Sequence, residues 1–537
     1  MGNKNILLAL VLLFNGVFLV FGQENIKSTV TVTREYDNKI EGVVKSDFKT
    51  SYSDTLQKFK LNFDYSAFDR PYKDLYEFSP VDGIQLPAKG VVRYPVLYFK
   101  GALGYPLMPE ADLYVQPSLG KKNTLVLYAN HHSLWGNKGY DTPVNESVTT
   151  GGLGYAYHWK TGEARLNGYY SHNFHEYKES ELYSYDPQMT QNIGGNLSVK
   201  SLNSNPGALQ YDFNLSGVAT NIRNYAREVF FDGSLDLGFR LAGKHRMFVN
   251  VGFENSIYNN KYVDGTALKG NGGLISVEPQ YAYSFGRLSL AVGIGLAAIY
   301  GDPLGVDGNG DCANVYPKVR VAYEAVKGSL WLKAMVDGGN TFMSFTELLR
   351  MNPWLTPVSI SNSSVPVRTQ VALEGAVKDI FGYTLSGIYQ RRATVYSFYG
   401  TSGRQARATA NNVNELGADA QISVNTKSLD FDLSASYRNY GGEIIYMTPA
   451  WKVNGVLEYN YMERIYAEVG ARFFSSMDGK GVRYDGFVDL YADLKYVVNS
   501  KFTVFLKGGN LLNNQIFYLQ DYVEPGVNFA LGLFIKL

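Results

Sequence analysis

The sequence predicts an all-β protein: an antiparallel transmembrane β-barrel of about 22 strands, with short periplasmic turns and long extracellular loops. Three observations carry this prediction. Apolar and polar side chains alternate over long stretches, tight turns alternate with long polar loops, and the chain ends inside an apolar alternating segment. Each is typical of a sheet that meets lipid on one face and polar groups on the other.

The alternation is clearest in three segments: ALQYDFNLSG (208–217), LDFDLSASYR (429–438) and FVDLYADLKYV (487–497). Because a strand has a period of two, one face of each segment is apolar and the other is polar. Strands of soluble sandwiches commonly run for about 5–6 residues, whereas a tilted membrane crossing takes about 9–11. The length of the segments therefore favours a membrane barrel over a sandwich.

Tight turns divide the chain into pairs of long strands. They are LGKKN (119–123), KTGE (160–163), NSNPG (203–207), AGKHR (242–246), FGR (285–287), VKGS (326–329), IFG (380–382), NTKS (425–428), MER (462–464) and VNS (498–500). Longer loops rich in Gly, Asn and Pro lie between them, for example 345–366. With one strand before the first pair and one at the end, the count is about 22 strands. The turn spacing also fits a secreted β-propeller or adhesin, which stays as a third interpretation.

Composition narrows the function classes. Gly (55), Tyr (42) and Phe (30) are abundant and charged residues are few (18%), which suits strands and turns. The net charge of +1 provides no basic field for nucleic acid, so we expect no nucleic-acid partner. The single cysteine, Cys312, cannot form an intrachain disulfide. No phosphate-binding loop, nucleophile elbow or HExxH helix is found, so we expect neither an enzyme nor a cofactor.

The first residues predict export. Lys4 precedes an apolar stretch, and Val20 and Gly22 place small or short residues at the −3 and −1 positions of a cleavage before Gln23. We therefore expect a signal peptide over 1–22, a short periplasmic segment over 23–90 and the barrel over 91–537. This organisation places the protein in the outer membrane of a Gram-negative cell, crossing it many times.

The last residues, KFTVFLKGGNLLNNQIFYLQDYVEPGVNFALGLFIKL (501–537), carry a family resemblance. A strand, the motif Asn510-Leu511-Leu512-Asn513, a loop, Pro525-Gly526 and a closing strand resemble the C-terminus of TonB-dependent receptor barrels. The departures are Val527, where the family usually has a basic residue, and Leu537, where it has an aromatic one. The expected closing face of the barrel consists of Val527, Phe529, Leu531, Leu533, Ile535 and Leu537.

The resemblance implies solute passage or uptake, but one part of the family pattern is missing. Family members carry a large plug domain before the barrel and a segment that binds an energy-coupling protein, whereas only about 70 residues precede the first barrel strand here. The hypothesis is that the N-terminal segment, inward side chains and folded-in loops fill part of the lumen. Outer-membrane lipid and outer-membrane or periplasmic proteins are the expected partners, and energy coupling is doubtful. A non-transporting subunit or scaffold of an outer-membrane complex is the alternative function.

Two groups of residues raise the question of a metal. Asp307, Asn309 and Asp311 have the 1, 3, 5 spacing of a calcium loop, but Cys312 and Lys318 replace the glycine and glutamate that such a loop needs. The interpretation is a polar outer loop, with a non-standard calcium site as the alternative. The histidines lie in ANHHSLW (His131, His132) and SHNFHEY (His172, His175, beside Glu176). Because residues three apart in a strand face opposite ways, His172 and His175 cannot share a site unless a loop begins there.

Charged residues on the polar faces of two strands are the candidate lumen residues. They are Asp430, Asp432 and Arg438 in one strand and Asp489, Asp493 and Lys495 in another. In a barrel they would face inward, where they either solvate the interior and form ion pairs or line a solute path.

Overall fold

In the computed structural model, 22 antiparallel strands pair in chain order and close into a ring. The structure describes residues 96–120, 122–137, 143–180, 183–184, 187–202, 208–223, 226–242, 244–261, 267–301, 312–355, 362–377, 380–400 and 406–537. The expected signal peptide (1–22), the segment 23–90 and the start of the barrel at residue 91 lie outside the described residues.

The barrel strands are long and follow one another along the chain. They are β1 (Leu97–Tyr105), β2 (Glu110–Val115), β3 (Asn123–Asn137), β4 (Pro143–Trp159), β5 (Gly162–Ser180), β7 (Gln188–Ser201), β8 (Leu209–Ile222), β9 (Ala226–Ala242), β10 (His245–Lys261), β11 (Ala267–Phe285), β12 (Leu288–Gly301), β13 (Cys312–Val326), β14 (Leu330–Phe342), β15 (Asn362–Val377), β16 (Phe381–Gly400), β17 (Ala406–Asn425), β18 (Leu429–Gly442), β19 (Trp451–Tyr461), β20 (Ile465–Phe474), β23 (Phe487–Val497), β24 (Phe502–Gly509) and β27 (Asn528–Lys536).

The remaining elements are short and lie in the connections between barrel strands. They are β6 (Tyr183–Ser184), β21 (Met477–Gly479), β22 (Val482–Tyr484), β25 (Phe517–Leu519), β26 (Tyr522–Val523) and the helix α1 (Phe345–Met351). No helix in the described part of the chain combines the length and the apolar character that a membrane-spanning helix needs.

The turns that the sequence predicts all fall between consecutive barrel strands, from the β2–β3 connection to the β23–β24 connection. They define a short-turn end of the barrel, and the longer connections define a long-loop end. In outer-membrane barrels these ends are periplasmic and extracellular, respectively. The all-β class and the strand number are confirmed. The propeller interpretation is wrong, because one closed ladder of long strands leaves no separate four-stranded blades.

The ring closes where the last strand meets the first. In β27, Phe529 pairs with Tyr105 and Leu531 with Leu103 of β1, and the other edge of β27 pairs with β24. After the last strand residue, the backbone of Leu537 still exchanges two hydrogen bonds with that of Leu97, at 2.9 and 3.1 Å. Val527 precedes the strand. Because β27 is paired on both sides, the barrel has no free edge.

Side chains on the inner face of the seam explain one glycine. A Cβ atom at Gly532 would lie 2.3 Å from the Phe505 ring and 2.5 Å from the Gly101 carbonyl oxygen. The Phe505 ring is buried and packs on Phe534, with ring centroids 4.6 Å apart. Glycine at position 532 therefore lets an aromatic cluster fill the inside of the seam.

The two faces of each strand meet different surroundings. Along β12, the outward residues Leu288, Leu290, Val292, Ile294 and Leu296 are all exposed, although all are apolar. Exposed apolar side chains in continuous bands are costly in water and favourable in lipid. The opposite faces of the neighbouring strands carry the polar side chains described below.

Adjacent residues of β8 test this assignment of faces. Leu215 lies on the apolar outward face and Asn214 on the polar inward face, near the middle of the strand. We expect Leu215→Arg to lower the free energy of unfolding by about 2–4 kcal/mol, since it places a charge near the middle of the bilayer. Asn214→Arg is the matched control, and we expect a change within about 0.5 kcal/mol. Urea titration in detergent or lipid, followed by heat-modifiable gel mobility, measures both; equal losses would contradict the assignment.

Candidate functional site

The connection between β14 and β15 does not stay outside the ring. Residues 343–355, here called the inserted segment, pack against lumen-facing side chains of several strands. Among them are Glu228 of β9, His175 of β5, and Tyr396 and Phe398 of β16. Because these strands lie on different sides of the ring, the segment crosses the lumen near its long-loop end. The sequence predicts a long loop here, and the hypothesis of folded-in loops does not say which loop enters the lumen.

Local sequence explains the single helical turn in the inserted segment. Ser344 caps α1, because its side chain accepts a hydrogen bond from the Glu347 N–H at 3.1 Å. Within α1, the Arg350 guanidinium lies 2.8 Å from the Glu347 carboxylate. The helix ends at Met351, and the side chain of the C-cap residue Asn352 accepts from the Trp354 N–H at 3.0 Å. Pro353 follows and stops the helix from continuing.

Glu228 anchors the beginning of α1 to the barrel wall. One carboxylate oxygen accepts from the Phe345 N–H (3.0 Å) and the Ser256 hydroxyl (2.5 Å). The other accepts from the Thr346 N–H (2.6 Å) and the Thr346 hydroxyl (2.5 Å). Free N–H groups at a helix start carry partial positive charge, so they stabilise a buried carboxylate. The four bonds explain how Glu228 can be only 2% exposed.

A second carboxylate and a hydroxyl pair extend this attachment. The Phe342 N–H, just before the inserted segment, donates to Glu254 of β10 at 2.5 Å. The hydroxyls of Thr346 and Thr220 of β8 are 2.8 Å apart. The wall from β8 to β10 therefore holds the start of the segment through polar contacts that are matched to its backbone.

Apolar contacts hold the other face of the inserted segment. Phe345 and Leu348 are both fully buried, at 0% exposure. They belong to a cluster with inward residues of β8 to β16, including Tyr258, Leu274, Ile299, Tyr316 and Phe398. An apolar cluster of this kind inside a lumen excludes water from the region that it fills.

Trp354 connects the inserted segment to the last long loop of the chain. Its ring stacks on Tyr522 in β26, with centroids 4.9 Å apart and an angle of 13° between the planes. Its other neighbour is the buried His175, at 5.4 Å in an edge-on arrangement. The inserted segment and the β25–β26 hairpin therefore meet at Trp354, and together they cover part of the lumen at the long-loop end.

The β25–β26 hairpin is itself anchored to the β21–β22 hairpin. The Tyr484 hydroxyl donates to the Asp521 carboxylate at 3.1 Å and accepts from the Asp521 N–H at 3.1 Å. Burial raises the pKa of Tyr484 to about 12, so the hydroxyl keeps its proton at physiological pH. Beneath the hairpins, Met447, Met477 and Ile516 pack with Phe487, the first residue of β23.

The candidate lumen residues of β18 lie on one face of the strand. Arg438 is the most connected, since its guanidinium lies 2.9 Å from Glu415 and 2.7 Å from Asp419 of β17. Asp430 is buried, and Asp432 lies between Ser423 and Val456 of the neighbouring strands. These positions are opposite to the exposed Leu429.

The candidate lumen residues of β23 also share one face. Asp489 is paired with Arg472 of β20 at 3.4 Å, and the Lys495 ammonium lies 4.0 Å from the Glu468 carboxylate. Asp493 lies between Glu468 and Lys507 in the ladder. Their role in lining a solute path stays a prediction, because every partner described here is part of the protein wall.

More deeply buried ion pairs lie elsewhere, at residues that the sequence pattern does not single out. Arg368 of β15 donates two bonds to Asp337 of β14, at 2.8 and 2.7 Å. Lys318 of β13, only 1% exposed, lies 2.8 Å from Glu278 of β11. Glu415 also receives Gln390 and Arg392 of β16. Their only sequence signal is a charge on the polar face of an alternating strand, which does not reveal the partner strand.

The histidines do not form a metal site in the described part of the chain, where no cluster of metal-binding side chains is present. His131 contacts Thr149 and Ser133, while His132 points the other way and lies 3.3 Å from Asp112. β5 runs straight through His172 and His175, so they face opposite sides. Asp307, Asn309 and Asp311 lie outside the described residues.

Comparison with known proteins finds the fold but no close relative. No family model matches the chain, and no curated protein matches it. Among solved structures, the ferric-catecholate import receptor Fiu of E. coli K12 is similar, with 11% identity over 82% of each chain and a TM-score of 0.62. The FrpB iron transporter of Neisseria meningitidis is similar with 10% identity over 84% of this chain and 82% of that one, and a TM-score of 0.64. The copper transporter OprC has 12% identity, 83% and 81% coverage and a TM-score of 0.63.

The chain has the barrel fold of TonB-dependent receptors. The similarity covers more than four-fifths of the chain at about a tenth identity, so the architecture is shared and the side chains largely are not. The fold that the C-terminal motif implies is thereby confirmed.

The anchoring role of Glu228 leads to a test. Glu228→Ala leaves the Phe345 and Thr346 N–H groups without their acceptor, at a cost of about 3 kcal/mol in the stability of the inserted segment. We expect amide exchange of residues 345–351 to become about 100-fold faster, measured by hydrogen–deuterium exchange, while the barrel stays heat-modifiable.

Ser256→Ala is the matched control for this substitution. It removes the bond on the wall side of Glu228 and leaves both carboxylate oxygens to the segment. We expect at most a fewfold change in exchange for this variant. If both variants behave like the wild type, Glu228 does not hold the segment.

Proposed function

We propose that the protein is an integral outer-membrane barrel of TonB-receptor type that serves solute passage or uptake, with the inserted segment closing the lumen near its extracellular end. The observation that carries the proposal is a ring of 22 strands with an apolar exterior, a polar ion-paired lumen and a segment folded across that lumen.

The size of the ring supports a transport role. Barrels of 16–18 strands enclose an open aqueous channel, and 22-stranded barrels need their lumen to be plugged. Here the inserted segment is attached by hydrogen bonds to Glu228 and Glu254 and by apolar packing. Attachments of this kind can be released and remade, so the segment suits a closure that opens to admit a solute.

The class of solute follows from the lumen wall. Charges of both signs are paired there, as at Asp337–Arg368 and Glu415–Arg438, and amide side chains lie between them. Such a surface is compatible with a hydrophilic solute that exchanges water for polar contacts. Similar structures are named as a ferric-catecholate import receptor, an iron transporter and a copper transporter, and we place this chain in the broader class of hydrophilic solute carriers.

We extend the proposal to the ends of the chain. Residues 1–22 direct export, residues 23–90 act on the periplasmic side, and residues 91–537 form the barrel. β1 begins at the short-turn end of the barrel, and β27 finishes at the same end. The first and last residues of the described barrel therefore lie on the periplasmic side. A periplasmic or outer-membrane protein partner would act there, and outer-membrane lipid surrounds the outward face.

Opening the lumen is the sharpest test of this function. In planar lipid bilayers, we expect the wild-type protein to show low conductance with rare openings. The double substitution Phe345→Ala and Leu348→Ala removes two fully buried side chains of the inserted segment, at about 2–5 kcal/mol each. We expect large, frequent openings in this variant, and faster swelling of liposomes in sugars of graded size.

Ile444→Ala is the control, because Ile444 also lies in a connection but is 62% exposed. We expect it to behave like the wild type. A large constant pore in the wild type would show that the lumen is not closed. A double variant that stays closed while remaining folded would show that another part of the protein is the barrier.

Native mass analysis of the detergent extract adds a separate outcome: a protein partner at fixed stoichiometry and no solute would favour the scaffold function.

A further inference from the structure

The outward face of the barrel carries a row of polar and basic side chains at one height. Arg227 of β9 lies opposite both Asn221 of β8 and Asn259 of β10. Asn259 is in turn opposite Lys269 of β11. Arg227, Asn259 and Lys269 are exposed. We call Asn221, Arg227, Asn259 and Lys269 the rim row.

The rim row lies one outward position beyond an apolar belt. The outward residues of β8 over 209–219, of β9 over 229–239 and of β10 over 247–257 lie at matching heights in the ladder and are nearly all apolar. Each stretch is about 11 residues long, which is one tilted crossing of the hydrocarbon core. The next outward position in each strand belongs to the rim row, so the row lies at the level of the lipid headgroups on the long-loop side.

A third cation lies beside the row. Arg223, one residue past the end of β8, is exposed, and its guanidinium reaches 3.8 Å from the Met189 sulfur on the outward face of β7. Among the described side chains of β8 to β11, every carboxylate is on the lumen face of its strand: Asp212, Glu228, Asp232, Asp236, Glu254 and Glu278. The described outward rim therefore carries positive charge that no outward carboxylate of these strands neutralises.

We propose that Arg223 and the rim row bind the phosphate-bearing headgroup of an anionic lipid in the outer leaflet. A guanidinium binds phosphate oxygens through two parallel N–H donors, and a lysine supplies a second charge. Adjacent strands are about 4.8 Å apart, so Arg227 and Lys269 are about 10 Å apart and their long side chains can reach one headgroup. The acyl chains of that lipid then lie on the belt below, against Val229 and Ile257. The site rests on the membrane location proposed above and goes beyond transport.

Arrangement within the row supports a preformed site. The Arg227 Nε–H donates to the Asn221 side-chain oxygen at 3.2 Å, which fixes the guanidinium beside β8. The side-chain amides of Asn221 and Asn259 flank Arg227 on both sides and can donate to further phosphate oxygens. Fixing the donors before binding lowers the entropy cost of capturing the headgroup.

Lipid binding to the full chain in a neutral detergent tests the site, with dioleoyl phosphatidic acid and dioleoyl phosphatidylcholine as probes of identical acyl chains. Native mass spectrometry measures the retained lipid. We expect preferential retention of phosphatidic acid, and affinity about tenfold or more weaker in the variant R223Q/R227Q/K269Q. Arg391→Gln is the control, because Arg391 is an exposed cation on β16 whose ladder partners are Val367 and Asn414.

Every variant is first checked for heat-modifiable mobility, so that loss of the barrel is not mistaken for loss of the site. Equal retention of the two lipids, an unchanged affinity in the triple variant, or an equal loss in Arg391→Gln would overturn the proposal. Displacement of the lipid by inorganic phosphate at a similar concentration would also overturn it, since it would show a site for free anions. Because conductance is measured separately, the site can fail while the transport function holds, and the reverse.

Discussion

In a bilayer the backbone has no water to bond, so every N–H and C=O group in the membrane must find a partner within the protein. For a sheet, the only solution is closure, and here the pairing of β27 with β1 provides it. Much else follows from this constraint. Strands must be long enough to cross, outward side chains must be apolar, and polar side chains collect on the inside. The buried polar pairs and the inserted segment exist because a closed ring has an inside.

A wide ring then creates a second requirement, which is to fill or solvate its interior. The protein meets it in two ways. Charged side chains pair across neighbouring strands, as Arg368 does with Asp337, so that none of these buried charges is left without a counterion. The inserted segment brings an apolar cluster into the lumen, and it brings backbone N–H groups to the Glu228 carboxylate. A buried carboxylate can therefore be stabilised by a helix start instead of a cation.

The structural similarity at about a tenth sequence identity is consistent with these constraints on closure and on the outward face. The constraints of lipid and closure act on the pattern of side chains and leave their identity free, so very different sequences can form the same ring. In this chain the interior is where function is expected, and the outer rim of β8 to β11 is a second surface with a chemical character of its own.

The sequence by itself determined the class, the strand number and the turns, because period-two alternation and turn chemistry are local properties. It also separated His172 from His175. It did not determine which charges meet, since the partner of Arg438 or Lys318 depends on the register between strands of the ring. It predicts a long loop over 345–366 but does not say that this loop turns inward, because the contact with Glu228 joins residues over a hundred positions apart. Only the closed tertiary structure brings that carboxylate to the start of α1, and so only the tertiary structure decides what lies in the lumen.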